Sequence, residues 1–325
     1  MPVSIFIGTA TVTSSPTQTA VFTASPIATD VPTVTPIPTI TPLPTNTPQV
    51  EGVERVLIIS YDGMRPDAIA PAPMPNLLAL IDQGAYTLTN AQTIAYPATL
   101  PSHASMLSGL CMDKTGIYLD KYFAYMGYSK GVDVFDLAHA AGLRTVMVVG
   151  KSKLRQLAEP ETTDVFEIAY GEKAISKAAV ENIASGFDLM FVHFAGPDLR
   201  GHKYGWMSDM QFKALRDGDE ALGNLLTALD ENGLRDGTLI IVTADHGGHG
   251  KAHIGTMIED YRIPWIAAGP GVVHRELTST IDTMDTAATA AYALDLPLQA
   301  DWDGIPVYEA FGQPIIKMHD GKTCK

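Results

Sequence analysis

Basic side chains are scarce: 22 lysines and arginines face 36 aspartates and glutamates, a formal charge of −14. Phosphate backbones select basic surfaces, so duplex nucleic acid is excluded as a natural partner. An anionic substrate would need a local source of positive charge, and bound metal cations provide one. Cysteine is nearly absent, with Cys111 and Cys324 alone. That excludes a disulfide scaffold and, with no CxxC spacing, a cysteine-rich zinc module. One Cys111–Cys324 bridge in an exported chain and two unrelated thiols both stay open. No apolar run approaches the roughly 20 residues of a membrane span. The opening MPVSIFIGTA has no cationic segment and too short an apolar stretch for a secretory signal. Either the chain is not exported by that route, or its true start lies upstream.

Apolar residues are plentiful, at 46% of 325. That is enough to bury a core, in one large domain or two small ones. Residues 1–50 are of another kind, with 13 threonines, 9 of the 22 prolines and Asp30 as the only charged side chain. Proline this dense removes backbone donors and favours extended polyproline II, so no packed core forms there. The segment reads as a disordered Thr/Pro-rich stalk or linker, suited to a secreted or surface protein. Residues 51–325 form the globular domain.

There the texture alternates. VERVLIIS (53–60), TVMVVG (145–150), FDLMFVHF (187–194) and TLIIVTA (238–244) are continuous apolar runs, as in strands buried on both faces. PNLLALIDQGA (75–85) reads as a helix closed by Gly84. Phe212, Leu215, Leu222, Leu225, Leu226 and Leu229 recur at helical spacing. The expected fold is α/β, a mostly parallel central sheet covered by helices on both faces. In such sheets ligands sit at the carboxyl ends of the strands.

The polar residues fall at those ends. The first strand runs into Asp62, the third into Asp198 and His202, the fourth into Asp245, His246, His249 and His253. Carboxylate and neutral imidazole together suit zinc, and also manganese or iron. Their number exceeds one tetrahedral site and fits two ions, which can clamp the attacking and leaving oxygens of a displacement at phosphorus. In TIAYPATLPSHASMLSG (93–109), Thr99 opens a helix-like stretch with Pro101 in its first turn. A threonine hydroxyl needs metal coordination or a base to become a nucleophile. A phosphoryl group on it would meet free N–H groups and the positive end of the helix dipole.

ISYDGMRPDAI, PNLLALIDQGAYTLTNAQTIAYPATLPSHASMLSG, PDLRGHKYGW and ADHGGHG, in that order, resemble the alkaline phosphatase superfamily. Within it the type I phosphodiesterases and nucleotide pyrophosphatases are most similar, over about residues 54–273. The resemblance implies one divalent ion, zinc above all, on Asp62, Asp245 and His246, with Thr99 as bridging nucleophile. It implies a second on Asp198, His202 and a third histidine. His253 is assigned because HIGTMIEDYRIPWIAAGPGV resembles the shorter branches of the family; His249 is the nearest rival, with His274 and His319 weaker. The implied reaction is phosphoester hydrolysis through a phosphothreonine.

Two departures bear on substrate. Where the diesterase branch has an asparagine that helps hold a phosphoryl oxygen, this chain reads CMDKTGI, with Asp113 or Lys114 near that place. Lys153 and Arg155, in GKSKLRQ, resemble the Lys-x-Arg pair of some monoesterases, and extra cations favour a monoester dianion. A phosphate monoesterase is therefore the alternative, and an inactive surface-binding protein a remote one. A sulfatase would need Cys or Ser at Thr99 and arginine at His103; a mutase would need an inserted domain. Tyr96 is placed to stack on a base or aryl group, Trp206 to cap the site wall, and Met64 and Arg65 to pack. His103 and His193 read as structural. The expected partner is a small phosphate ester, nucleotides included, outside the cell.

Overall fold

The computed structural model describes residues 50–315 and Cys324. The expected stalk and His319 lie outside these residues, except for Val50, which is buried in the core. The first half runs β1 (Arg55–Tyr61), α1 (Pro75–Gln83), β2 (Ala85–Gln92), α2 (Thr99–Ser108), α3 (Met112–Thr115), α4 (Val134–Ala140), β3 (Thr145–Val149) and β4 (Val165–Ile168). The second runs α5 (Glu172–Ala184), β5 (Leu189–Phe194), α6 (Gly196–Tyr204), α7 (Asp209–Glu231), β6 (Thr238–Thr243), α8 (Ile258–Tyr261), β7 (Arg262–Ala268), β8 (Arg275–Glu276), β9 (Ile281–Asp282) and α9 (Asp285–Ala293).

The sheet order is β4-β3-β5-β1-β6-β7-β2-β8, with β9 also on β2. From β4 to β6 every pairing is parallel. The four apolar runs of the sequence are four of these five strands, and β3, β5 and β6 are buried at every position. Burial on both faces is what removes the polar alternation of a half-exposed strand. Helices α1, α5 and α6 pack against α7 in one layer, and α2, α4 and α9 pack together in another. The fold is the expected covered α/β sheet.

The antiparallel side has a weaker signature in the sequence. β7 runs antiparallel to both β6 and β2. It carries Pro264, which has no N–H to give a ladder. The β2–β7 register breaks between Thr87 and Ala91, where the partners are Trp265 and Ile263, so the irregularity sits opposite Pro264. Thr87 Oγ1 accepts the N–H groups of Thr89 and Asn90 there, replacing the missing ladder bonds.

Candidate active site

The carboxyl edges of β1, β3, β5 and β6 converge on the start of α2. Asp62 follows β1 directly, Lys151 lies two residues past β3, Asp198 and His202 sit one turn apart on α6, and Asp245 and His246 follow β6. Thr99 is the first residue of α2, all ten residues of which are buried.

Two groups of potential ligands form, Asp62, Asp245 and His246 in one and Asp198, His202 and His253 in the other, with ligand atoms in each within 4.8 Å of one another. The histidine orientations support that use. His246 Nδ1–H donates to the Gly247 carbonyl at 2.8 Å, His202 to Lys251 at 3.0 Å, and His253 to Pro97 at 2.6 Å. With each Nδ1 proton fixed on a backbone carbonyl, each Nε2 presents its lone pair to the cluster. His246 Nε2 lies 3.4 Å from oxygens of both Asp62 and Asp245. His202 and His253 Nε2 lie 3.3 and 3.9 Å from Asp198 Oδ1.

These inward atoms lack protein donors. Asp62 Oδ1, Asp198 Oδ1, Asp245 Oδ2 and His246 Nε2 are buried without a hydrogen-bond partner. Orphaned buried acceptors are costly and call for an ion or other donor. The donor set, carboxylate and imidazole in two adjoining triads, fits two divalent cations. The rings of His246 and His253 stack at 3.8 Å across the two groups.

The remaining valences are filled from behind. Gly63 N–H and His246 N–H donate to Asp245 Oδ1 at 3.0 Å each. His193 Nε2–H donates to Asp62 Oδ2 at 2.8 Å, and its Nδ1 accepts from Gly150 N–H. His103 Nδ1–H donates to the Thr99 carbonyl at 2.7 Å while Ser60 donates to its Nε2 at 2.8 Å. These two histidines support the site from beneath, matching the structural role expected of them.

Lys151 stands in the centre. Its Nζ reaches Asp62 at 2.7 Å and Asp198 at 2.5 Å, and donates to Thr99 Oγ1 at 3.1 Å. It thus bridges one carboxylate from each group to the hydroxyl. Burial opposes its charge, but Asp62, Asp198 and Asp245 raise its pKa above the ordinary lysine value. Burial also opposes ionisation of Asp62, yet Lys151 and the His193 hydrogen bond hold it well below the usual range. Asp198, opposed by burial and by Asp62, is brought to about 2, chiefly by the Lys151 charge. Burial and then the Asp62 charge push Asp245 well above the carboxylate range. Burial lowers His246, and burial followed by His246 takes His253 to about 4, leaving both imidazoles neutral and able to ligate.

The remaining expected residues fall around this centre. His249 turns to Asp260 at 2.7 Å, and the second group takes His253 instead. His274 is exposed. Tyr96 is half-buried three residues before Thr99. Lys114 pairs with Asp303 at 2.6 Å and donates to the Asp301 carbonyl. Lys153 pairs with Asp120, and the Arg155 guanidinium lies over Tyr122. Sequence reasoning missed Lys151 and Asp120. The strand-end rule that found the acids would have found Lys151 had it been applied to cations, since Gly150-Lys151 follows β3 directly.

A sheet of this order with an acid- and histidine-lined edge defines the alkaline-phosphatase-like fold. A 2-O GAG sulfatase structure superposes with a TM-score of 0.68 at 14% identity, covering 82% of this chain and 76% of that one. Murine ectonucleotide pyrophosphatase/phosphodiesterase 5, an inactive form in complex with AMP, gives 0.65 at 14%, covering 79% and 98%. At such identities the likeness is one of fold. The chain belongs to the type I phosphodiesterase / nucleotide pyrophosphatase family, whose profile matches residues 56–142 and 149–261. The mouse bis(5'-adenosyl)-triphosphatase enpp4 is 23% identical over 214 residues, 59% of this chain and 47% of that protein. Human ectonucleotide pyrophosphatase/phosphodiesterase family member 7 is 25% identical over 219 residues, with the same coverage. The chain thus spans about half the length of these relatives.

Proposed function

We propose that this protein hydrolyses phosphate esters outside the cell, as a phosphodiesterase or nucleotide pyrophosphatase, with Thr99 as nucleophile. The observation that carries the reading is the pair of ligand groups in which Asp62 Oδ1, Asp198 Oδ1, Asp245 Oδ2 and His246 Nε2 lack hydrogen-bond partners, set beside the Thr99 hydroxyl. Asp62, Asp245 and His246 would hold one divalent ion and Asp198, His202 and His253 the other, with zinc the best match to this donor set. When bound, such ions supply Lewis acidity and neutralise phosphoryl charge. The Thr99 oxygen forms a bond to phosphorus, the bond to the leaving alcohol breaks, and a phosphothreonine results. Water then cleaves it, restoring the hydroxyl and releasing phosphate or a phosphomonoester. Lys151 holds Thr99 Oγ1 between Asp62 and Asp198 and favours its deprotonated form. His103 fixes the backbone beneath it.

Export is supported by the ectonucleotide names of relatives and by the Cys111–Cys324 disulfide, a bond suited to oxidising compartments. The inactive-binder alternative is disfavoured by the full set of ligand candidates. The monoesterase alternative rested on Lys153 and Arg155, both of which have other partners. The test is kcat/KM for an aryl phosphodiester and the matching monoester on zinc-loaded protein. Thr99→Ala should lower both by at least about a thousandfold; a variant as active as the native protein would refute the nucleophile.

A further inference from the structure

We propose that Asp120 sets the charge state of the ester this site accepts, favouring a singly charged diester over a dianionic monoester. The inference rests on the phosphoester reading of the site and concerns a residue in the loop between α3 and α4. Asp120 Oδ1 accepts the Leu100 N–H at 2.8 Å. That amide is bonded to the carbonyl of Thr99, so the carboxylate sits beside the nucleophile. It occupies a donor that a phosphoryl oxygen on Thr99 would otherwise use. The next residue, Pro101, has no N–H, and the Ser102 N–H is taken by the Ala98 carbonyl at 2.9 Å. The start of α2 therefore offers an anion less than most helix starts do.

The cations nearby do not compensate for a second negative charge. Both Asp120 oxygens accept from Lys153 Nζ at 2.7 Å, which offsets the lysine charge locally. Arg155 is directed elsewhere, its Nε donating to the Ser152 carbonyl at 3.1 Å and its guanidinium lying 5.4 Å from the Tyr122 ring centre. Lys151 is shared between Asp62 and Asp198. A diester carries one negative charge and a monoester close to two above about pH 7. Repulsion from the fixed carboxylate therefore acts about twice as strongly on the monoester. Lys153 holds the carboxylate in place and moderates it, and the resemblance to a monoesterase cation pair is misleading for that reason.

The test uses three zinc-loaded variants, Asp120→Asn, Lys153→Gln and the double. Asparagine keeps the shape and the acceptor for Leu100 N–H while removing the charge. The monoester-to-diester ratio of kcat/KM should rise roughly ten- to a hundredfold in Asp120→Asn, the effect of one unit charge at about 5–8 Å in a partly solvated site. It should fall in Lys153→Gln and return near the native value in the double variant. An equilibrium readout runs in parallel, by calorimetry with inorganic phosphate and with dimethyl phosphate. The affinity ratio for these two anions should move in the same sense in each variant. Ratios unchanged within twofold in Asp120→Asn and Lys153→Gln would make Asp120 a helix cap and nothing more. Failure of native protein to hydrolyse either ester would remove the phosphoester reading itself, and this proposal with it.

Discussion

Replacing Gly248 by alanine would put a methyl carbon 2.2 Å from Cε2 of Trp206. The indole has nowhere to retreat, because a Cβ at Gly201 would lie 2.8 Å from the ring and one at Gly63 3.2 Å away. Its Nε1–H is also fixed to the Gly63 carbonyl at 2.9 Å. Three glycines from three ligand-bearing segments thus wall one side chain: Gly63 follows Asp62, Gly201 precedes His202, and Gly248 lies two residues past His246. Overpacking in such a site costs about 1–3 kcal/mol and occasionally more, and the closeness of the clash argues for about 3. Trp206→Phe removes the indole N–H and part of the ring, at about 1–3 kcal/mol on its own. In that background the alanine methyl has room, and Gly248→Ala should cost less than about 1 kcal/mol. The expected coupling is therefore about 2 kcal/mol, within the range of contacting residues. Urea unfolding with a chelator present reads this directly, since metal affinity then does not enter. Equal costs of Gly248→Ala in both backgrounds would refute the wedge. In the native background the shifted ring should also spread the ligands and lower zinc affinity roughly ten- to a hundredfold.

Chelation should destabilise the native protein, because each ion that binds only the folded state at a hundredfold excess over its Kd contributes about 2.7 kcal/mol; an unchanged Tm with and without chelator would argue against both ligand groups. Reducing Cys111–Cys324, which are 213 residues apart, should cost about 2–5 kcal/mol in urea titrations, as should Cys111→Ser; equal midpoints for oxidised and reduced protein would contradict this. Burial opposes charge on Glu309, but hydrogen bonds from Ser279 and Thr278 hold its pKa below the ordinary 4.5. A carboxyl depressed by folding contributes stability that is complete above its unfolded pKa and lost as pH falls through the folded one. Glu309→Gln should therefore cost about 1–3 kcal/mol near neutrality and progressively less as pH falls below the ordinary glutamate pKa; a pH-independent difference would count against the assignment.

The parallel half of the sheet was legible because burial on both faces leaves uninterrupted apolar runs, and the acids that end them are read off directly. The antiparallel side was not, since β2 mixes threonine and asparagine into its pattern and β7 contains Pro264. In the site, Asp62, Asp198, His202, Asp245 and His246 announce themselves by following strands or lying one helical turn apart. His253 needed the resemblance, as it lies in a loop and joins the cluster only through folding. Asp120 had no signal at all. It is one acid in a tyrosine-rich loop, 20 residues beyond the amide it caps, and only the fold brings them together. Lys153 and Arg155 show the converse: a resemblance to a monoesterase pair pointed to them, but their partners decide what they can do there.

Charge explains why those partners matter in so acidic a chain. Asp62, Asp120, Asp198 and Asp245 surround Thr99 and its helix start, against Lys151 and Lys153. With all four carboxylates ionised, the site alone is two charges negative and would repel any phosphate ester. Two divalent ions, as proposed, would reverse this to two positive, so the same residues would attract an anion only when loaded. The reversal would be modest, because Asp120 already lowers that sum by one and the remote acidic surface opposes it further. A site poised this way tolerates one negative charge on the substrate better than two. The diester preference proposed above would then follow from a near balance of fixed charges around Thr99, with no dedicated pocket for the leaving group required.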